Sequence, residues 1–84
     1  MTLNWRTASE NELLGFNVYR SGAGRTVKVN SKLIFADATG TTRGSAYRLV
    51  DTHLRRGVSY TYRLQLVRLD GSHRWAGASA LKTR

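Results

Sequence analysis

The chain has 84 residues with 14 Lys plus Arg against 5 Asp plus Glu and no cysteine, which allows one core, leaves no room for a separate catalytic domain and excludes disulfides and thiolate metal sites. No apolar run approaches the roughly 20 residues that span a bilayer as a helix, and no basic segment followed by an apolar core marks a signal peptide, so membrane insertion is not expected and any export signal is expected in a longer parent chain. The net charge of +9 creates a field that attracts polyanions without selecting among them.

Short strands separated by turn chemistry are predicted along the whole chain. Thr2 to Ala8 alternates Leu3, Trp5 and Thr7 against Asn4 and Arg6, with Trp5 as a core centrepiece. Ser9 to Leu14 reads as a polar loop holding Glu10 and Glu12. Phe16 to Arg20 points Phe16 and Val18 inward and Asn17 and Tyr19 outward, before Ser21-Gly22-Ala23-Gly24 turns the chain. Val27 to Asn30 is a short strand, and Leu33, Ile34 and Phe35 are expected to cover an open end of the core. After a loop over Asp37 to Gly44, Ala46 to Val50 sets Tyr47 and Leu49 inward. From Val58 to Leu66 every second residue is large and apolar, while Ser59, Thr61, Arg63 and Gln65 fill the other register, the period of a strand with one buried face. Asp70-Gly71 is a hairpin turn, and Trp75 to Lys82 closes the set with its parity open. The expected core is Trp5, Phe16, Val18, Tyr47, Leu49, Leu54, Tyr60, Tyr62, Leu64 and Leu66.

The corner before the long strand carries the sharpest signal. Leu54, Gly57, Tyr60, Tyr62 and Leu64 form Leu-x-x-Gly-x-x-Tyr-x-Tyr-x-Leu, which resembles the corner between the fifth and sixth strands of fibronectin type III domains. Leu3 to Glu10 and Gly15 to Ser21 look like the second and third strands of a bacterial branch of that family, so the resemblance covers nearly the whole chain. It implies an all-β, immunoglobulin-like sandwich forming a single domain over residues 1–84, with Leu54, Gly57 and Tyr60 as its structural corner and the Tyr60 hydroxyl bonded to backbone near Leu54. Replacing Tyr60 by Phe is then expected to cost about 1 to 3 kcal/mol. Arg56 stands where the family often has proline. Only Met1 precedes the tryptophan strand, so the first strand is expected to be missing, leaving about six strands and an open edge along Thr2 to Ala8 that could accept a strand from another chain. The family setting implies a secreted or cell-surface bacterial protein, with other domains of a parent chain or copies of this one as partners.

Arginine dominates the charge. Tyr19, Arg20, Lys28, Arg63, Arg68, Arg74 and Trp75 make up the candidate polyanion or sugar-binding face, where aromatic rings stack on bases or sugars and cations hold phosphates or sulfates. Solvated strand faces with long stems shielding the sheet are the plain alternative. Catalysis finds little support: His53 and His73 have no metal-ligand spacing, Asp51-x-His53 with Ser59 or Ser72 predicts no triad geometry, Glu10 and Glu12 lack the oxygen density of a calcium loop, and Gly22-x-Gly24 precedes a strand rather than a helix. No catalytic, cofactor or metal residue is therefore assigned. Three roles follow: a non-enzymatic spacer or adhesion module of an exported bacterial protein, a polyanion-binding module for nucleic acid or acidic polysaccharide, or a carbohydrate-binding accessory domain of a secreted glycosidase using Tyr19 or Trp75.

Overall fold

The alternation in the sequence becomes two antiparallel sheets around a shared core. The computed structural model describes residues 1–76 and 81–83, so part of the expected last strand, 77–80, lies outside the described residues. The strands are β1 (Thr2–Arg6), β2 (Leu13–Gly22), β3 (Arg25–Lys28), β4 (Ile34–Phe35), β5 (Ala46–Val50), β6 (Thr61–Arg68), β7 (His73–Trp75) and β8 (Leu81–Thr83), with no helix among the described residues. One sheet has the order β5-β1-β8; the other runs β3-β2-β6-β7, with β4 added along β2. Tight turns take the expected residues. Ala23 and Gly24 both adopt positive φ, at 53° and 74°, which suits the right-handed twist of the β2–β3 hairpin.

Leu3 and Trp5 of the first sheet pack against Leu13, Phe16, Val18 and Leu64 of the second, and Tyr47, Leu49, Tyr62 and Leu66 lie half-buried against that cluster. Trp5 is the centre of it, stacked on Tyr47 at 5.6 Å between centroids and meeting Phe16 edge-on at 5.5 Å, geometries that suit the ring quadrupoles. Of the expected core, Leu54 and Tyr60 stand outside the cluster. Their chain is the corner between β5 and β6 rather than a strand, and the β2–β6 ladder starts at Thr61 opposite Ser21.

Tyr60 instead holds the corner. The Arg55 N–H donates to its hydroxyl at 2.9 Å, the expected bond one residue beyond Leu54, and Gly57 between them takes φ 77°, a left-handed conformation that favours glycine. Arg55 is exposed, so on Tyr60→Phe its freed N–H is solvated. The cost is therefore expected at about 1 kcal/mol or less, below the range for a stranded buried partner. A urea-midpoint comparison of the two proteins measures it.

The expected open edge is corrected outright. β1 is the middle strand of its sheet: Thr2 to Arg6 pair with Val50 to Ala46 on one side, and Leu3, Asn4 and Trp5 pair with Thr83, Lys82 and Leu81 on the other. The chain's own β8 lies along that edge, so over Leu3 to Trp5 the backbone groups expected to recruit a foreign strand are occupied. The strand number also exceeds the six expected, because Ile34 and Phe35 pair with β2 and the last segment splits between the two sheets. Of the residues expected over the open end, Ile34 packs on the core while Phe35 is exposed.

Candidate functional site

Strand register decides which candidate residues can act together. Directly paired residues of an antiparallel ladder share a face. Tyr19 stands opposite both Lys28 and Arg63, and Gln65 stands opposite both Asn17 and Trp75. Tyr19, Lys28, Arg63 and Trp75 therefore lie together on the outer face of the larger sheet. Arg20 pairs with Tyr62, Arg68 with Leu13, and Arg74 with Leu66, which places these three on the face that looks toward the other sheet. The seven candidates are thus two groups on opposite faces.

On the outer face the side chains are already assembled. The Arg63 guanidinium carbon sits 3.9 Å from the centroid of the Trp75 ring, and the Tyr19 ring meets Trp75 edge-on at 5.3 Å. A guanidinium over an indole is held by the ring quadrupole while its N–H groups stay free to donate. Trp75 is 41% exposed, which resolves its parity in favour of the surface. Beside the rings, the Asn17 amide donates to Gln65 at 2.9 Å and accepts from Asn30 at 2.9 Å. Asn30 is itself buried, accepting the Val18 N–H at 2.7 Å and donating to the Lys32 carbonyl at 2.9 Å. That chain of bonds anchors the amides to backbone. β2, β3, β6 and β7 contain no Asp or Glu, so the face carries two cations, two large rings and amides without a competing carboxylate.

The inner-facing arginines do different work. Arg20 forms an ion pair with Asp51, with Nη1 at 2.8 and 2.7 Å from the two carboxylate oxygens, and its guanidinium also lies 5.4 Å from the Tyr60 ring centroid. Asp51 is buried at 2% exposure and further accepts the Tyr62 hydroxyl at 2.8 Å. Burial opposes its ionisation, but the Arg20 guanidinium, the Tyr62 hydroxyl and the His53 N–H together hold it below the usual carboxylate range. The same contact, after burial, pushes Tyr62 up to about 12. Asp51 meets the His53 backbone and leaves that exposed imidazole alone, so the pair has no orienting geometry for catalysis.

A second buried carboxylate lies in the expected polar loop, but it is not solvated there. Glu10 is 0% exposed. It accepts the Thr7 hydroxyl at 2.5 Å, the Ala38 N–H at 2.6 Å and the Tyr47 hydroxyl, tying the β1–β2 loop to the loop before β5. Burial again opposes the charge, and these donors outweigh it, holding Glu10 below its ordinary value; burial followed by the Glu10 contact pushes Tyr47 up to about 12. Glu12 is exposed. Both buried carboxylates are saturated by protein donors and serve the fold. Among the described residues no group of three or more His, Cys, Asp or Glu is placed to hold a metal ion.

No family model, curated protein or solved structure matches this chain.

Proposed function

We propose that this chain is a non-enzymatic, fibronectin type III-like interaction module of an exported bacterial protein, and that its working surface is the outer face of the larger sheet, which binds an anionic polymer. The observation that supports this reading is the Tyr19–Trp75–Arg63 stack, exposed and held in place on rigid strands. Arg63 offers donors to a phosphate or sulfate, Lys28 adds a second charge across Tyr19, and the rings give a flat surface to a base or sugar. Shielding of the sheet by the arginine stem is the competing account of the same stack. The two differ in what loss of the stack does.

Arg63→Ala combined with Trp75→Ala is expected to abolish retention on heparin and single-stranded DNA at low salt, while far-ultraviolet circular dichroism and the urea midpoint change little. With two cations on the face, the slope of log K against log salt should be about −1.4 to −1.8, shallower than the roughly −3.5 to −4.5 that all five candidate cations acting together would give. Unchanged retention in the double variant would assign the attraction to overall charge. Trp75→Ala alone decides the carbohydrate alternative: binding to neutral glycans that disappears in this variant would favour it.

A further inference from the structure

The three inward-facing candidate arginines do not all share the fate of Arg20. Arg68 continues the parity of Leu64 and Leu66 on the core-facing side of the sheet, and Arg74 stands opposite Leu66. Both line a cavity of about 430 Å³, within the size range of small-molecule sites. Its floor is apolar, formed by Trp5, Leu13, Phe16, Leu64, Leu66 and Ala76. Arg6, Arg68 and Arg74 stand around it with one carboxylate, Glu12. The ion pair formed among the described residues is Arg20 with Asp51, so none of these three arginines is held in a salt bridge, although Asp70 feels the charge of Arg68.

An apolar floor beneath cations free of salt bridges has a defined complement. A neutral hydrophobe would leave the arginines unused, and a bare inorganic anion would leave the half-exposed Leu66 and Ala76 wet. We propose that this cavity is a binding site for a linear amphiphile with an anionic head, a medium-chain carboxylate, whose tail lies against Leu66 and Ala76 and whose head is held by Arg68 and Arg74. Charge-assisted hydrogen bonds from guanidinium to carboxylate give the head its orientation, and burial of the tail supplies most of the affinity. The site lies on the opposite side of the larger sheet from Tyr19, Arg63 and Trp75, and it stands or falls independently of polyanion binding.

The two tryptophans make the test direct. In Trp75→Phe the remaining indole is Trp5, which lines the cavity, and the outer-face indole no longer contributes to the emission. Titrating this protein with decanoate, below the concentration at which it forms micelles, should shift Trp5 emission saturably with one ligand per chain. Adding Arg68→Ala and Arg74→Ala should weaken decanoate by about tenfold or more, the size of one to two charged contacts, and leave the weaker binding of decanol unchanged. The urea midpoint of each variant controls for folding. The absence of a saturable shift would overturn the site, and equal affinities for decanoate and decanol, or indifference to the arginine substitutions, would overturn its recognition of an anionic head.

Discussion

Asp51→Ala is expected to destabilise the protein by about 3 kcal/mol, a large share of the 5 to 15 kcal/mol typical of a domain. The substitution removes the acceptor of the Arg20 guanidinium and the Tyr62 hydroxyl at once, leaving a cation and a phenol on the core-facing side of the sheet. Arg20 retains 16% exposure of its side chain, so partial hydration sets the cost at the low end of the range for a broken buried pair. Paired substitution separates the ion pair from its burial: Arg20→Met with Asp51→Leu should recover most of the loss, because no unpaired charge remains. Urea denaturation of the three variants gives the values, and a loss below about 1 kcal/mol in Asp51→Ala would show the pair to be dispensable.

Glu10→Gln is expected to cost about 2 kcal/mol and to change the acid response. The carboxylate takes three donors from Thr7, Ala38 and Tyr47; an amide of the same shape gives up the charge that strengthens those bonds and turns one of its polar ends into a donor. Glu10 and Asp51 both titrate below their ordinary values in the folded state. Their contribution to stability is therefore complete above the unfolded carboxylate values near pH 4 and is lost as pH falls through the folded ones. Stability should be flat from about pH 6 to 5 and fall steeply below about pH 4. Glu10→Gln should make that fall shallower, and Glu10→Gln with Asp51→Asn shallower again. An unchanged slope in the double variant would place acid sensitivity elsewhere.

Much of the fold was legible because strand period and burial coincide. Leu3 with Trp5, Phe16 with Val18, Tyr47 with Leu49, and Tyr62 with Leu64 and Leu66 all sit on the core side that their alternation predicts. The Tyr60 bond to the corner backbone was expected from the resemblance to the fibronectin type III corner, and the structure supplies it through the Arg55 N–H. The seven-residue face was harder to read, yet its signal was present: Arg20 continues the parity of Phe16 and Val18, Arg68 continues that of Leu64 and Leu66, and adjacent Arg74 and Trp75 cannot share a face of one strand. Composition had grouped what alternation separates.

Other features left no local trace. Glu10 lies in a stretch with no period, and its burial depends on Ala38 and Tyr47, which are 28 and 37 residues away in sequence. The closing of the β1 edge depends on β8, at the far end of the chain from Leu3 and Trp5. Contacts of that range are set by how the sheets assemble, and a window of neighbouring residues contains no record of them.

Backbone amide shift mapping with a heparin-derived oligosaccharide tests the central claim, that the outer face of the larger sheet is the working surface. The account predicts saturable perturbations confined to Asn17, Tyr19, Lys28, Arg63, Gln65 and Trp75 and the Trp75 indole N–H, all lost in Arg63→Ala with Trp75→Ala. Perturbations spread over the arginines of both sheets, or centred on β1 and β5, would contradict it.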